Sequence, residues 1–551
     1  MPEPGTVTVP RIAMVKVRDG TEIAVAIYAP AGNGPFPTLF APSPYRFDNN
    51  ILPASPQFLW RETGPIDFYV EQGYVYAHMD VRGSGRSGGE FNYFGRLDQQ
   101  DLYDVIEWIG QQPWSNGKVG GIGQSYYCML QWFMGAMAPS SLACLAAHDG
   151  MNDLYRASVY QGGIPGEFFY SYWWTQNRII NRWPANGAQS REQREDLGMW
   201  VAEHPTYDAF WRERCAWEML DRVTVPLYSS GVWTKMQLHT RGNIEGFRRA
   251  RGPRKLRMSG VPNAWAAAAE FASVEFHRRV MLPFYDHYLR GQATDYLSRP
   301  PVEYAVRGAN VMRSAQTWPP PNVEYRTWYL QQGPSGSVSS LNDGGLATAR
   351  PTNGGTTSYN YPDPGWVSGV VGFGPVGPAG GFDAVRRVLT FTTAPLEEPL
   401  EIAGPIKLVL FASSSCRDTD FFIKLSDQLP QSSEDRSKGL NPGWELVTRG
   451  WLRASHRALD PERSTEIEPY HTHADPQPLA PREIYRFDIS LEPMAYAFKQ
   501  GHRLRLEIVN GDSPITEVLW THYYRPDKIG RDTIYHRTQH PSALVLPVTS
   551  G

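Results

Sequence analysis

The sequence predicts an α/β part with a mostly parallel sheet, interrupted by a helical insertion and followed by an all-β sandwich of jelly-roll type. Three observations lead to this fold class. Up to about residue 298, apolar runs of strand length alternate with stretches of helical periodicity, as in parallel sheets covered by helices. The alternation of strands and helices stops in the middle of this part, where helix-favouring segments predominate. In the last part, short alternating runs are separated by Gly, Pro, Asp and Asn turns.

The length of the chain also favours several domains, because 551 residues exceed what one hydrophobic core accommodates. We predict a core domain from residues 1–150 and 222–298, with a helical cap inserted at 151–221. The jelly-roll domain is predicted at 299–551. Among its expected strands are Val302–Val306, Ile406–Phe411, Phe421–Leu425, Leu504–Ile508 and Ala543–Pro547.

The composition narrows the classes of partner. A net charge of −3 argues against a nucleic acid or an anionic membrane surface. The 4 cysteines are widely spread without a CxxC pair, which argues against a disulfide framework or a zinc site. Neither a signal peptide nor an apolar run of the roughly 20 residues that span a bilayer is visible. We therefore expect a cytoplasmic protein that acts on a small molecule without a metal or organic cofactor; a homo-oligomer remains open.

The N-terminal strands end in polar residues. Asp19-Gly20 separates two alternating runs and predicts a hairpin. The apolar run Thr38–Ala41 predicts a buried strand shortly before Tyr45, and Leu142–Ala147 predicts another that leads to His148 and Asp149. Ligands of open α/β sheets bind outside the carboxyl ends of the strands. Tyr45 and Asp149 are therefore expected at the functional edge of the sheet.

A third strand end carries a serine. Val119–Ile122 is a short apolar strand with glycines, and an apolar run of helical length follows Ser125. A serine between a strand and a helix, with Gly123 two residues before it, has the layout of a nucleophile elbow. The usual second glycine, two residues after the serine, is replaced by Tyr127. From these residues alone, a glycine-rich turn with an incidental serine remains an alternative.

Tryptophans are concentrated in the predicted cap. Trp173 and Trp174 lie there among charged, helix-favouring residues, and Trp233 follows a predicted strand of the core. Together with His148, these side chains are candidates for contact with a bulky, partly aromatic or apolar substrate. The alternative is that the tryptophans only pack in the interior of the cap and core.

Several motifs in order along the chain resemble the CocE/NonD family, which includes cocaine esterase, α-amino-acid ester hydrolases and X-Pro dipeptidyl-peptidases. They are Val17–Gly20, Pro44-Tyr45, Asp80–Gly89, Trp114–Gly120, Gly123–Tyr126, Gly450–Arg457 and Gly501–Leu506. The resemblance implies an α/β-hydrolase core with an inserted helical cap and a C-terminal jelly roll. It also implies that Ser125 is the acyl-forming nucleophile, and that the N–H of Tyr126 and the phenol of Tyr45 form the oxyanion hole.

The chain departs from this family at its acid and its base. The stretch that usually carries the acid, Ser230–Lys235, has no carboxylate. Members with a Leu-His-x-Arg-Gly-Asn segment, as at Leu238–Asn243, also tend to lack that acid, which makes Asp149 the candidate; a turn-capping Asp is the alternative. The catalytic His is expected on a loop that here places Ala264 at its position. His239 and His148 are candidate substitutes, although either residue could be a structural histidine.

Two explanations of Ala264 remain open. The chain could be an engineered His→Ala variant, or it could be a natural member that lost triad hydrolysis. The alanine-rich run Ala264–Ala269 favours natural divergence. We thus expect a serine-dependent acyl hydrolase or acyltransferase-like enzyme acting on an ester or amide. The alternatives are a repurposed enzyme catalysing elimination, cyclisation or rearrangement in natural-product metabolism, and a non-catalytic pseudohydrolase.

Overall fold

A computed structural model of the chain describes residues 9–48, 62–182, 195–236, 238–352, 354–362, 388–511, 522 and 525–550. The first elements form the amino-terminal half of an α/β sheet. They are β1 (Arg11–Lys16), β2 (Glu22–Tyr28), β3 (Phe36–Ser43), α1 (Ile66–Glu71), β4 (Val75–Asp80), α2 (Arg96–Gly110), β5 (Ser115–Gly121), α3 (Tyr126–Met137) and β6 (Leu142–His148). The predicted hairpin at Asp19-Gly20 joins β1 to β2, with Gly20 at a φ of 86°.

The cap follows β6. It contains a π-helical turn (Tyr155–Val159), the short strands β7 (Tyr160–Gln161) and β8 (Ile164–Pro165), the helices α4 (Glu167–Arg182), α5 (Leu197–Glu203) and α6 (Ala209–Arg214), and a 3₁₀ turn (Ala216–Arg222). The helices α5 and α6 are each preceded by an N-capping aspartate, Asp196 and Asp208, whose side chain accepts backbone N–H groups of the first turn.

The chain then returns to the sheet. The elements are β9 (Leu227–Val232), a 3₁₀ turn (Trp233–Lys235), α7 (Thr240–Arg249), β10 (Arg254–Ser259), α8 (Ala264–Ala272), α9 (Val274–Phe276), a π-helical turn (His277–Met281), α10 (Leu282–Arg290), β11 (Val302–Val306) and β12 (Val311–Ala315). The strand order is β1-β2-β4-β3-β5-β6-β9-β10-β11-β12, parallel from β4 to β11. The carboxyl ends of β3, β5, β6 and β9 therefore meet at one edge.

The first sheet extends further along the chain than the predicted boundary at 298/299. The run Val302–Val306, expected in the jelly roll, pairs in parallel with β10 as β11, and β12 pairs with β11. Period-two alternation predicts a strand but cannot tell which sheet the strand joins.

The remaining strands form the C-terminal all-β domain. They are β13 (Val323–Gln331), β14 (Gly344–Ala347), β15 (Thr356–Tyr361), β16 (Leu389–Thr392), β17 (Leu400–Ser414), β18 (Asp420–Gln428), β19 (Trp444–Arg453), β20 (Tyr485–Phe498), β21 (Arg503–Val509), β22 (Gly530–Arg537), β23 (His540–Pro541) and β24 (Ala543–Thr549), with a short helix α11 (Ser433–Ser437). Strand β24 pairs with both β13 and β17, which closes the sheet into a barrel.

The described residues form two hydrophobic cores. The first combines the α/β sheet with the cap. The second fills the all-β domain and includes Trp233, Ile244 and Val302 from the last strands and helices of the α/β part. The all-β domain thus shares its core with the sheet that carries the serine. Among the described residues, no helix has the length and hydropathy needed to cross a membrane.

Candidate active site

Ser125 lies at a strained turn between β5 and α3. Its φ of 61° and ψ of −119° belong to a backbone region that costs a non-glycine residue on the order of 1–3 kcal/mol. The turn is held because the Ser125 N–H donates to the carbonyl oxygen of Asp149 at 3.0 Å. A strained serine between a strand and a helix is the geometry of a nucleophile elbow.

Gly123 explains how the turn accommodates Tyr127. Gly123 has a φ of 121°, and a Cβ atom there would lie 2.3 Å from the Cβ of Tyr127. The tyrosine that replaces the usual second glycine is therefore compatible only with glycine at position 123. The Tyr127 hydroxyl is hydrogen-bonded to Nε2 of His78 at 2.9 Å, which anchors the ring in the interior.

Two hydrogen-bond donors lie beside the Ser125 hydroxyl. The hydroxyl of Tyr45 accepts a hydrogen bond from the Trp173 indole at 2.9 Å and lies near the Ser125 side chain. Burial raises the pKa of Tyr45 well above its usual value, so that the phenol keeps its proton at neutral pH. The second donor is the backbone N–H of Tyr126 in the first turn of α3, where N–H groups have no intrahelical acceptor.

His239 also contacts Ser125, but as a donor. Its Nε2 lies 3.2 Å from Ser125 Oγ, and its Nδ1 accepts the Met151 backbone N–H at 3.1 Å. A neutral imidazole has one N–H and one acceptor nitrogen, so this backbone bond places the proton on Nε2. Burial lowers the pKa of His239 to about 3, which keeps the ring neutral. In this tautomer His239 donates to Ser125 and cannot take its proton.

Asp149 does not orient this histidine. Its Oδ1 accepts the Val232 N–H at 3.2 Å, and its Oδ2 accepts the Gln124 amide at 3.0 Å. Oδ2 also lies 2.8 Å from Lys235 Nζ, and the carboxylate is fully buried. Asp149 is therefore the partner of a lysine, and the described residues do not form a Ser-His-Asp chain of hydrogen bonds. Asp149 was a candidate acid because it was expected at the end of a strand, and it does lie at the end of β6. Its hydrogen-bond and ion-pair partners, however, come from other parts of the sheet, which the sequence does not indicate.

Glu62 also lies at the serine, although it is not among the residues that the sequence predicts for the site. Its carbonyl oxygen accepts the Gln124 N–H at 2.7 Å, which fixes the residue beside the elbow. Its carboxylate lies near the Ser125 side chain, and its Oε2 is buried without a hydrogen-bond partner among the described residues. Burial raises the pKa of Glu62 to about 7, against the opposing effects of Lys235 and Ser125. No motif or periodicity marks Glu62, which lies outside the described helices and strands, just before α1.

The other candidate histidine positions do not reach the serine hydroxyl. Ala264 is exposed in the first turn of α8, where Asn263 caps the helix by accepting the Ala266 N–H at 2.9 Å. His148 is fully buried, and its ring stacks on Phe271 with centroids 4.6 Å apart. Burial lowers the pKa of His148 well below its usual value. Only its backbone carbonyl approaches Ser125, at 3.3 Å from the serine N–H.

The candidate tryptophans separate into two environments. Trp173 stacks on Tyr126 with centroids 5.7 Å apart, and Trp174 stacks on Phe91 at 5.2 Å. Helix α4 thus places aromatic rings over the elbow. Trp233 instead lies in the second core, where its indole donates to the Ala305 carbonyl at 2.7 Å. It is fully buried, and these contacts give it a packing role.

The arrangement combines a strained serine, a carboxylate and three uncharged hydrogen-bond donors. The carboxylate belongs to Glu62, and the donors are Tyr45, the Tyr126 N–H and His239. Such a set can polarise a carbonyl group and attack it. Among the described residues, no group of three or more His, Cys, Asp or Glu side chains could hold a metal ion.

Known proteins resemble the chain over both of its parts. A family profile described as X-Pro dipeptidyl-peptidase (S15 family) matches residues 19–261. A second profile, described as the X-Pro dipeptidyl-peptidase C-terminal non-catalytic domain, matches residues 296–545. The chain is 26% identical over 605 residues to cocaine esterase of Rhodococcus sp. (strain MB1 Bresler), with 99% of each chain covered.

Solved structures agree with these matches. A CocE/NonD family hydrolase from Staphylococcus aureus superimposes with a TM-score of 0.80 and 28% identity, covering 98% of this chain and 93% of the other. An α-amino-acid ester hydrolase covers 100% of both chains with a TM-score of 0.72 and 21% identity, a similarity of fold alone. The predicted α/β-hydrolase core with a C-terminal all-β domain is confirmed.

Proposed function

This chain belongs to the CocE/NonD family of α/β-hydrolases and is a hydrolase, and on that premise we propose that Ser125 cleaves an ester or amide by forming an acyl-enzyme. The observation that carries the proposal is the strained backbone of Ser125, with φ 61° and ψ −119° at a strand–helix turn. Strain of this kind persists only where the surroundings maintain it, and it is concentrated at functional sites.

The oxyanion formed by attack on the carbonyl group is bound by Tyr45 and Tyr126. The Tyr45 hydroxyl is positioned by the Trp173 indole and remains protonated, and the Tyr126 N–H points out of the first turn of α3. A preorganised donor of this kind contributes about 2.7–4 kcal/mol of barrier reduction. His239 holds the serine hydroxyl in place through its Nε2–H.

The substrate we propose is a small, partly apolar molecule. The rings of Tyr45, Tyr126 and Trp173 pack against one another at the serine, with Tyr45 and Tyr126 centroids 5.8 Å apart. Aromatic faces of this kind bind apolar or aromatic groups. The relative named cocaine esterase supports an ester rather than an amide as the first class to be tested.

The test is labelling with a fluorophosphonate probe, read by intact mass and by peptide mapping. We expect one adduct on Ser125 and none on the Ser125→Ala variant, together with hydrolysis of a panel of aryl esters that the variant abolishes. If the wild-type protein is not labelled and its turnover survives the substitution, acyl-enzyme chemistry at Ser125 is excluded.

A second candidate is a non-hydrolytic step, such as elimination, cyclisation or rearrangement of a natural product, or a site that only binds. The residue that favours it is Ala264, which stands at the position that the resemblance to the family assigns to the catalytic His. The same labelling experiment separates the two, because only the acyl-enzyme reaction requires a nucleophilic Ser125.

A further inference from the structure

The proposed acyl-enzyme requires a base, and neither His239, His148 nor Ala264 supplies one. Serine is a poor nucleophile at its free pKa and needs a neighbouring proton acceptor. His239 presents an N–H to Ser125 Oγ because its Nδ1 accepts the Met151 N–H. The ring of His148 is stacked on Phe271, and Ala264 has no proton acceptor in its side chain.

We propose that Glu62 is the general base that takes the proton of Ser125, a role that rests on the acyl-enzyme function proposed above. Three contacts support this assignment. The backbone of Glu62 is bonded to Gln124, the residue before the serine, at 2.7 Å. The Ser125 side chain approaches the Glu62 carboxylate closely enough to favour its ionised form. One carboxylate oxygen, Oε2, is buried without a hydrogen-bond partner among the described residues, so it is available to accept a proton.

The hydrogen bonds of Ser125 are compatible with this direction of proton transfer. A serine hydroxyl has one donor proton and two acceptor lone pairs. His239 Nε2–H occupies a lone pair, which leaves the hydroxyl proton for the Glu62 carboxylate. The negative Asp149 carboxylate nearby is compensated by Lys235 at 2.8 Å, and Lys235 also favours the ionised form of Glu62.

The reaction balances with this one acid–base group. In acylation the Oγ–H bond of Ser125 breaks, its proton passes to Glu62, and Oγ bonds to the substrate carbonyl carbon. The tetrahedral intermediate then releases the leaving group, which takes the proton from Glu62. In deacylation Glu62 takes a proton from water, the water oxygen bonds to the acyl carbon, and Ser125 leaves with the proton that Glu62 returns.

The ionisation of Glu62 matches this task. A general base works best when its pKa lies near the operating pH. Burial raises the pKa of Glu62 to about 7, so the carboxyl is a stronger base than an exposed glutamate and is still ionised in part at neutral pH. By contrast, the pKa of His239 is lowered to about 3, which makes it a weak base.

The experiment measures the rate of Ser125 labelling by an uncharged fluorophosphonate between pH 5 and 9. For the wild-type protein we expect the rate to rise with pH around a midpoint near 7, the pKa of Glu62. Glu62→Gln, which keeps the size of the side chain and removes the base, should lower the rate by about 10²–10⁴-fold and abolish the midpoint. Glu62→Asp should recover part of the rate.

A matched control is Glu195→Gln, since Glu195 is another half-buried carboxyl whose Oε2 has no partner among the described residues. This variant should leave the labelling rate and its pH midpoint unchanged.

Labelling of Glu62→Gln at the wild-type rate would overturn the assignment of Glu62 as the base and leave the proposed serine hydrolase intact. A wild-type labelling rate that does not vary with pH would have the same consequence. If Glu62 instead bound a cationic substrate, the variant would raise KM without slowing the neutral probe. Absence of Ser125 labelling in the wild type would overturn both proposals together.

Discussion

Tyr45 and Trp173 act as one unit at the residue scale. The indole N–H of Trp173 donates to the Tyr45 hydroxyl at 2.9 Å, and the same indole stacks on Tyr126. The hydroxyl oxygen of Tyr45 is thereby oriented by the cap. A cap residue thus controls the direction of a donor that belongs to the core domain.

Two substitutions separate these contributions. Tyr45→Phe removes the oxyanion donor and should lower kcat for an ester about 10²–10³-fold. Trp173→Phe keeps an aromatic ring on Tyr126 but removes the neutral hydrogen bond, typically about 0.5–1.5 kcal/mol, and should lower kcat only about 2–10-fold. Steady-state kinetics on both variants measure the difference. Equal losses, or a full rate in Tyr45→Phe, would contradict the role of the phenol as an oxyanion donor.

The strand-end rule located part of this site from the sequence. Tyr45, Ser125 and Asp149 were expected at one edge of the sheet, and the structure places them there. The rule could not identify Glu62, because a loop residue without a motif meets the serine only when the chain has folded. The donor role of His239 was equally inaccessible, since it depends on the backbone N–H of Met151 across the cap junction.

At the scale of elements, the Lys235–Asp149 pair joins two strand ends. Asp149 follows β6, and Lys235 lies in the 3₁₀ turn after β9. The carboxylate is fully buried, and 13% of the Lys235 side chain is exposed. A charge taken out of water in this way is tolerated only while its partner is present.

Removing Lys235, the partner of the buried Asp149 carboxylate, should therefore destabilise the folded protein. We expect Lys235→Met to lower the free energy of unfolding by about 3–5 kcal/mol, because Asp149 is left buried and uncompensated. Adding Asp149→Asn should restore much of this loss. Arg251→Met is a suitable control, since its pair with Asp221 is exposed at 70% and 49% and worth about 0–1 kcal/mol. Denaturant titrations provide the values; similar losses in Lys235→Met and the control would contradict the argument.

Local elements could be predicted from the sequence, whereas the pairing of distant strands could not. The hairpin at Asp19-Gly20 and the serine turn are local, so their signals lie in adjacent residues. The strand at Val302–Val306 was expected, but its sheet was wrong, because pairing with β10 depends on the closing of the first domain. Closure of the all-β domain by β24 pairing with β13 and β17 is likewise a long-range property.

On the scale of the whole molecule, the all-β domain holds the cap. The Arg453 N–H donates to the Gly162 carbonyl at 2.9 Å, and the Tyr207 N–H donates to the His473 carbonyl at 2.9 Å. Arg156 of the cap donates to the His471 carbonyl at 2.9 Å. A cavity of about 480 Å³ lies at this junction, with Arg156, His471 and His473 in its lining. The position of the cap, and with it Trp173 over the serine, thus depends on the C-terminal domain.

Three buried histidines of the all-β domain make this junction sensitive to acid. Nδ1 of His456 lies 3.1 Å from Nδ1 of His473, and the rings of His471 and His473 are 5.7 Å apart. Burial lowers the pKa of His456 to about 4 and that of His471 to about 3, and it lowers the pKa of His473 well below its usual value. Arg156, close to His471 and His473, and Arg453, close to His456, lower these pKa values further.

The sign of the resulting pH dependence follows from proton binding. The unfolded chain takes up protons at these histidines near pH 6.5, whereas the folded protein does so only near pH 4 or below. Their contribution to stability is therefore complete above pH 6.5 and is lost as the pH falls towards 4. Buried carboxyls whose pKa is raised to about 7, such as Asp80 and Asp98, contribute in the opposite direction over the same range.

Comparison with a variant isolates the histidine contribution. We expect His456→Gln to reduce the slope of unfolding free energy against pH, between pH 6.5 and 4.5, by up to about 1.4 kcal/mol per pH unit. The glutamine amide can still hydrogen-bond His473. At pH 8 both histidines are neutral in the folded and the unfolded state, so the stability difference between the two proteins at pH 8 is subtracted from the differences at lower pH. Denaturant midpoints measured at each pH supply the slopes. Parallel curves for the two proteins would show that His456 is protonated as readily in the folded as in the unfolded state, and the junction between cap and all-β domain would then not be the acid-sensitive part of the molecule.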